Sequence, residues 1–421
     1  MIHNVKCIKR IIVALSLLAS LIAPRIDLVA AEKDRPRVGV VLSGGGAKGF
    51  AHIALLRRLE ELGIPVDYIG GTSMGATIAA LYAIGYTPDE LERIARDTGW
   101  TSLFMEKADR NDRDIFSKTI LQEFPIAANI TEDVFSPKGL VSGQNISAYL
   151  SRLTAGYQGY RDFGEFRIPF LCVGTDMETG EQTVFREGDI VNSLRASMAI
   201  PTVFEPVKID DRIYLDGGIV NNFPVREVRE SGADIIIGVD VGAPLYAARE
   251  MTNFPKIVNQ LISFNGMKRN EAQRDACDIL IIPDISEFDA MSFERTDDII
   301  RAGKKAVEEE SDALLKLSER LKEYHVTRED GKIAKRLKKI RVNRIEFDNI
   351  SRGSEKIARS LCSLKEGDRV TIDDIEKNVR YLYGTNYFNT VEYRIEQLEN
   401  ETVLRFKFDE KSEKRLYAGF S

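Results

Sequence analysis

Apolar runs alternate with amphipathic segments between residues 37 and 282. The apolar runs predict buried strands at residues 37–43, 168–176, 182–185, 212–215, 234–241 and 278–282. Segments with an apolar stripe predict helices from the end of the first strand to about Leu62, at residues 88–97 and at residues 190–198. Strands that alternate with helices in this way are typical of an α/β fold.

A second, shorter pattern begins after a charged helix at residues 302–324 and a basic linker at residues 332–344. It predicts, in order, strand, helix, helix, strand and strand, at residues 342–347, 354–364, 372–382, 388–395 and 404–408. About 75 residues lie within the size range of a small independent domain. We therefore expect an α+β domain after the α/β domain.

The N-terminal segment differs from both. Lys6, Lys9 and Arg10 precede an apolar run at residues 11–23, and small residues follow at positions 29–31. This order is typical of a secretory signal peptide, here residues 1–31. An uncleaved anchor is the alternative, but the run is shorter than the ~20 residues that a spanning helix needs.

Composition narrows the class of protein. The 421 residues are 43% hydrophobic and 29% charged with a net charge of -6, which favours a globular chain of two or three domains and argues against nucleic-acid binding. The four cysteines and three histidines show no metal-ligand spacing, so we expect no metal and no cofactor. Cys172 lies in an apolar run and is expected to be a buried thiol.

One stretch carries candidate chemistry. Gly71-Thr72-Ser73-Met74-Gly75 has the pattern G-x-S-x-G, with an apolar run before it and a segment rich in small residues after it. The context predicts a strand-to-helix turn that exposes a nucleophilic serine hydroxyl. A glycine-rich turn with an incidental serine is the alternative.

A glycine loop, Gly44-Gly45-Gly46-Ala47-Lys48-Gly49, follows the first predicted strand and leaves three interpretations open. It satisfies G-x-G-x-x-G, with Asp67 at about the spacing of a dinucleotide site, although Asp67 opens its strand instead of closing it. A phosphate-binding P-loop would need Lys-Ser or Lys-Thr, which is missing after Gly49. The third interpretation is an oxyanion hole beside Ser73, built from the amides of Gly44, Gly45 and Gly46.

The serine needs a general base. His52 is expected to pack within a helix, and His325 ends a charged helix, so a histidine triad is disfavoured. Asp216, at a strand end before Gly217 and Gly218, is the best-placed carboxylate; Asp176 and Asp240 also lie near strand ends.

Together these blocks, with the segment at residues 196–201, resemble the patatin-like phospholipase family over residues 36–321. The resemblance implies a three-layer α/β/α fold and calcium-independent hydrolysis of phospholipid or lysophospholipid acyl esters. It assigns Ser73 and Asp216 to a catalytic dyad and Gly44, Gly45 and Gly46 to the oxyanion hole. The supporting motif residues are Lys48, Gly49, Gly71, Gly75, Gly217 and Gly218.

The C-terminal pattern resembles a POTRA module, including Tyr381, Gly384, Tyr387 and Phe388. A patatin domain followed by POTRA resembles bacterial outer-membrane phospholipases, and residues 413–421 resemble the opening strand of a β-barrel. The expected boundaries are 1–31 (signal peptide), 32–330 (patatin-like domain), 331–412 (POTRA-like domain) and 413–421 (start of a truncated β-barrel).

This resemblance implies an exported protein of the periplasm, outer membrane or cell surface. Its expected partners are an acyl-ester lipid, a membrane surface and an outer-membrane assembly or barrel partner, and no nucleic acid. A truncated barrel protein and a periplasmic enzyme remain open as alternatives. So does a non-enzymatic docking protein that carries an inactive hydrolase domain.

Overall fold

The structure is a computed structural model, and it describes residues 35–105, 126–129, 141–201, 203–242, 257, 260, 269–324, 337, 339–398, 401–411 and 415–418. The signal segment, His325 and most of the irregular region after Trp100 lie outside the described residues. Residues 36–421 form one compact unit, and the description below concerns this unit.

Among the described residues, the first part of the chain has nine strands: β1 (Val38–Leu42), β2 (Tyr68–Thr72), β3 (Ile126–Asn129), β4 (Phe170–Asp176), β5 (Gln182–Phe185), β6 (Val207–Ile209), β7 (Arg212–Asp216), β8 (Ile235–Val239) and β9 (Ile279–Ile281). All except β3 join one sheet of order β6-β7-β4-β2-β1-β8-β9, with β5 paired to β4. The central pairs are parallel, whereas β5 and β7 run antiparallel to β4. The sheet is therefore mixed, and β6 was not predicted.

Helices of this part whose bounds are described include α1 (His52–Leu62), α2 (Met74–Ala83), α3 (Pro88–Asp97), α4 (Trp100–Met105), α5 (Gln144–Leu153), α6 (Ile190–Ser197), α7 (Val225–Glu230), α8 (Thr296–Glu309) and α9 (Ser311–Lys322). The predicted charged helix at residues 302–324 is in fact two helices, because the helix is interrupted at Glu310.

The sheet has helices packed on both faces, and side chains of its central strands point alternately to one face and the other. In β1, Val38, Val40 and Leu42 pack into a large core with α1, α2, α3, α6 and α8, whereas Val41 faces a smaller core with Val228 of α7. Successive side chains of a strand point to opposite faces, so a central strand with helices on both sides is apolar throughout. The predicted α/β/α architecture is confirmed.

The C-terminal domain contains β10 (Lys339–Arg341), β11 (Arg344–Asp348), α10 (Arg352–Leu361), β12 (Arg369–Thr371), α11 (Ile372–Gly384), β13 (Phe388–Gln397) and β14 (Thr402–Glu410). β14 is central, parallel to β11 and antiparallel to β13, while β10 and β12 form a separate antiparallel pair. The predicted α+β order is confirmed; the β10–β12 pair is additional. A last strand, β15 (Arg415–Ala418), pairs with β3.

No helix within the described part of the chain combines the length and the apolar character needed to cross a bilayer.

Candidate active site

Ser73 lies in the turn between β2 and α2, with φ 55° and ψ -124°. A side chain other than glycine is rare in this region of backbone space, and such strain marks nucleophile turns. The turn lies tight against β1, since a Cβ on Gly75 would overlap the carbonyl oxygen of Leu42. The predicted strand-to-helix turn is therefore present, with Ser73 at its apex.

The Ser73 backbone is held by neighbouring elements. Its amide donates a hydrogen bond to Ser197 Oγ at 2.9 Å, and its carbonyl oxygen accepts one from the Thr77 amide at 3.1 Å. Ser73 as a whole is 6% exposed. The strained conformation is thus fixed from two sides within a nearly closed site.

Strand register brings Asp216 next to Ser73. Thr72 of β2 pairs with Val173 of β4, and the next β4 residue, Gly174, pairs with Asp216 of β7. Ser73 and Asp216 thus occupy the same level of the sheet, on the two strands that flank β4. They come together although 143 positions separate them in the sequence.

The Asp216 carboxylate is 7% exposed. It accepts a hydrogen bond from the Gly218 amide at 2.7 Å, and the Ser73 hydroxyl lies near enough to stabilise its charged form. Burial raises the pKa of Asp216 to about 6, in opposition to the Gly218 amide and the Ser73 hydroxyl, which both favour the charged form. The group is an anion at neutral pH and accepts protons near neutrality, as a general base must.

The glycine loop follows β1 and reaches the same level, since Leu42 pairs with Gly71 two residues before Ser73. A Cβ on Gly44 would lie 3.0 Å from Ser73 Cβ and 2.5 Å from Asn222 Oδ1. Only glycine permits this approach of the loop to the serine.

The three glycine amides are not equivalent. The Gly44 amide donates to the Asn222 carbonyl oxygen at 3.2 Å, and Asn222 Nδ2 donates to the Gly44 carbonyl oxygen at 3.0 Å. The amides of Gly45 and Gly46 have no acceptor among the described residues. Gly44 is thus engaged with Asn222, and the oxyanion-hole role of the three glycines stays a prediction.

The rest of the loop is buried behind these glycines. Lys48 is 4% exposed; burial lowers its pKa, while Asp240 and Asp289 oppose this effect. Gly49 lies against the Met74 side chain, where a Cβ would be 2.6 Å from Cγ. His52 is fully buried in α1 as predicted, and its Nε2 donates to the Ser43 carbonyl oxygen at 2.8 Å.

The other motif glycines lie at the same edge. Gly71 is the residue before Thr72 at the end of β2, and Gly217 and Gly218 begin a short 3-10 turn directly after Asp216. A Cβ on Gly217 would overlap the Val173 carbonyl oxygen. Both turns are therefore packed against the strands that carry them.

The competing carboxylates have structural partners. Asp176 pairs with Arg212 and caps the turn at Glu178, and Asp240 pairs with Arg274 at 2.6 Å. Asp67 accepts a hydrogen bond from the Val38 amide at 2.7 Å, at the opposite end of β1 from the glycine loop. A dinucleotide ribose held at this loop would therefore be out of reach of Asp67.

Sequence reasoning missed Ser197 and Asn222 as contacts of the site. Ser197 lies in the segment at residues 196–201 that carried part of the family resemblance, but nothing in its spacing indicated a bond to the Ser73 amide. Asn222 lies in a loop six residues after Asp216, where the sequence pattern does not predict a contact with the glycine loop.

Two further expectations concern other groups. Cys172 is fully buried, and burial raises its pKa, which keeps the thiol protonated. Within the described ranges, no group of three or more His, Cys, Asp or Glu side chains is arranged to hold a metal ion.

Fold and site together define a three-layer α/β/α protein with a strained serine beside a buried carboxylate and a glycine loop. A family model described as patatin-like phospholipase matches residues 40–229, and a model described as POTRA, surface antigen variable number repeat, matches residues 340–411. The chain contains a patatin-like phospholipase domain followed by a POTRA domain.

Curated relatives match about half of the chain. A patatin-like phospholipase domain-containing protein of Caenorhabditis elegans, ZK370.4, is 34% identical over 210 residues, which are 49% of this chain and 14% of that protein. Lysophospholipase NTE1 of Scheffersomyces stipitis is 31% identical over 206 residues, which are 49% of this chain and 12% of that protein. The matched region is thus a small part of each relative.

Solved structures give a likeness of fold. VipD from Legionella pneumophila has a TM-score of 0.40 at 16% identity and covers 66% of this chain and 67% of its own. Human GIVD cytosolic phospholipase A2 has a TM-score of 0.37 at 12% identity and covers 69% of this chain and 61% of its own.

Proposed function

We propose that the protein is a serine lipid acyl hydrolase of the phospholipase A type, with Ser73 as nucleophile and Asp216 as general base. One observation carries the proposal: the strand register brings the buried Asp216 carboxylate to the level of Ser73, whose hydroxyl stabilises the charged form of Asp216 at a strained strand-to-helix turn. A nucleophile and base within hydrogen-bond reach are the requirement for covalent acyl transfer.

In the first half of the reaction, Ser73 Oγ attacks the ester carbonyl carbon and its proton passes to Asp216. The oxyanion accepts hydrogen bonds from the Gly45 and Gly46 amides, which have no acceptor among the described residues. Such donors are typically worth about 3 kcal/mol each in the transition state. The intermediate then collapses, and the leaving alcohol takes the proton from Asp216.

In the second half, a water molecule attacks the acyl-serine carbonyl carbon. Asp216 takes a proton from this water and returns it to Ser73 Oγ as the fatty acid leaves, which restores both groups. Ser73, Asp216 and the glycine amides supply the nucleophile, the base and the oxyanion donors. We therefore include calcium independence in the proposal.

The names of the matched relatives, lysophospholipase and patatin-like phospholipase, support a phospholipid or lysophospholipid substrate presented at a membrane surface. The POTRA domain supports an envelope location with an assembly partner. We propose that residues 1–31 act as a signal peptide, that the patatin-like domain extends over residues 32–330, and that the POTRA domain covers residues 331–412.

Hydrolysis of a fluorogenic phospholipid in EDTA tests this proposal. We expect Ser73→Ala and Asp216→Asn each to lower turnover by at least about 1,000-fold, since each removes a member of one catalytic unit. Ser102→Ala is the matched control, because its exposed hydroxyl donates only to the nearby Gly99 carbonyl oxygen at 2.7 Å. Full turnover in Ser73→Ala, or turnover that EDTA abolishes, would overturn the proposal.

A further inference from the structure

The POTRA domain is attached to the patatin-like domain by buried polar contacts. Gln144 of α5 makes two hydrogen bonds to Val391 of β13, one to its carbonyl oxygen at 2.8 Å and one from its amide at 2.7 Å. Gln158 Oε1 accepts a hydrogen bond from the Ile395 amide at 2.8 Å. The two glutamines thus satisfy backbone groups on the outer edge of β13, which fixes how this strand meets the first domain.

Arg394 lies between these two contacts and is 8% exposed. Its guanidinium forms an ion pair with Asp189 and donates to Asn192 Oδ1 at 3.0 Å and to Ser151 Oγ at 3.2 Å. A buried arginine with several acceptors fixes both its own position and that of the groups it binds, because its planar donors match only one arrangement.

Two of these acceptors belong to the start of α6. Asp189 is the N-cap of the helix, and its Oδ1 accepts from the Asn192 amide at 2.8 Å while its other oxygen accepts from Arg394. The N-cap carboxylate therefore joins α6 to the POTRA domain. Loss of the guanidinium would leave this end of the helix without its cross-domain contact.

The other end of α6 reaches the candidate active site. Ser197 is the last residue of α6, and its Oγ accepts a hydrogen bond from the Ser73 amide at 2.9 Å. The Ala199 carbonyl oxygen accepts a hydrogen bond from the Asp216 amide, also at 2.9 Å. The same short segment thus holds the backbone of both the nucleophile and the base. A shift of α6 therefore disturbs the hydrogen bonds that hold the backbones of Ser73 and Asp216.

We propose that Arg394 of the POTRA domain is a positioning residue for the Ser73–Asp216 pair and acts through α6. This inference rests on the proposed function. It makes the hydrolase and the POTRA domain one functional unit, in which the rate of acyl transfer depends on how the POTRA domain is seated on α5 and α6.

The rate constant for labelling of Ser73 by a fluorophosphonate, measured on the full chain, tests the inference. Because misplacement by about 1 Å can cost 100-fold in rate, we expect Arg394→Ala to slow labelling by about 10- to 100-fold and Arg394→Lys to recover part of the loss. Arg405→Ala is the control, since Arg405 pairs with Asp348 and Glu396 inside the POTRA domain; we expect its labelling rate to be unchanged. The rates are compared under conditions in which urea denaturation shows each variant to be fully folded, so a loss of stability alone does not change the rate constant.

Asn192→Ala removes one acceptor of Arg394 and replaces Arg394→Ala in the test if that variant does not fold. We expect Asn192→Ala to slow Ser73 labelling by about threefold or more, which is less than the effect of Arg394→Ala. In the double variant with Ser197→Ala, the slowing should be less than the product of the two single effects, because both act on one contact path. Wild-type rates in the Arg394→Ala or Asn192→Ala protein, or fully multiplicative effects, overturn the inference. Absence of Ser73 labelling in the wild type would instead overturn the proposed function.

Discussion

At the scale of single residues, burial determines the chemistry of Asp216. Its carboxylate has no arginine or lysine partner within the described residues, in contrast with Asp176 and Asp240, which pair with Arg212 and Arg274. Without a neighbouring cation, desolvation dominates and the pKa rises to about 6. This difference separates the candidate base from two ordinary carboxylates at strand ends.

The raised pKa predicts the pH profile of the reaction. A general base acts only when it is deprotonated, so we expect kcat/KM to rise about tenfold per pH unit below pH 6 and to level off above it. Initial rates with a soluble ester between pH 4.5 and 8.5 measure the profile. A rate that is flat from pH 5 to 8 would show that Asp216 is not the base.

The same pKa predicts an effect on stability. The folded chain retains the Asp216 proton up to about pH 6, whereas the ordinary value is 3.8, so the unfolded chain releases it earlier. Stability therefore falls as the pH rises from about 4 to 6 and stays lower above this range.

We expect Asp216→Asn to remove this penalty and to raise the free energy of unfolding at pH 8 by up to about 3 kcal/mol. At pH 4 the two proteins should be nearly equal, which provides the control. Urea denaturation at both pH values measures the difference. A variant less stable than the wild type at pH 8 would contradict the prediction.

Residue types and spacing were sufficient to place Ser73, Asp216 and the glycine loop at strand ends, because each is part of a local pattern, while their catalytic roles stay predictions. They were not sufficient for Ser197 or Asn222. Their contacts depend on where α6 and the loop after Asp216 come to rest against β2 and β1, and no local pattern encodes that. The engagement of the Gly44 amide by Asn222 was missed for the same reason.

At the scale of elements, the turn from β2 to α2 forms because small residues let the helix start directly against β1. Gly75 is the second residue of α2, and its Cα lies beside the carbonyl oxygens of Leu42 and Ser43. The bounds of α3 were predicted to the residue, whereas the charged helix predicted at residues 302–324 is two helices. The short strands β6, β10 and β12 were not, since three residues show no periodicity.

This packing predicts the effect of a single methyl group. We expect Gly75→Ala to destabilise the fold by about 1–3 kcal/mol and to lower activity, because the added Cβ overlaps the backbone of β1. Gly353→Ala is a matched control, since Gly353 is the second residue of α10 and has no neighbour within 4 Å of the added Cβ.

Gly353→Ala should leave the free energy of unfolding unchanged or raise it by up to about 1 kcal/mol, because alanine is favoured over glycine inside a helix. Chemical denaturation of both variants provides the comparison. Equal effects of the two substitutions would contradict the role assigned to the approach of α2 to β1.

At the scale of the whole molecule, the order of the two domains followed from the change in pattern near residue 340, but their attachment did not. Gln144 and Val391 are 247 positions apart, and Asp189 and Arg394 are 205 apart. Isolated polar residues at such separations look like ordinary surface positions in the sequence. Only the folded arrangement shows that they join the POTRA domain to α5 and α6.

The central claim is that Ser73 is the nucleophile of this protein. Reaction of the full chain with a fluorophosphonate at pH 8, followed by peptide mapping, tests it most directly. We predict a single adduct on the peptide that contains Ser73, no adduct in Ser73→Ala and a much slower reaction in Asp216→Asn. An adduct on another serine, or labelling of Ser73→Ala at the wild-type rate, would contradict the claim.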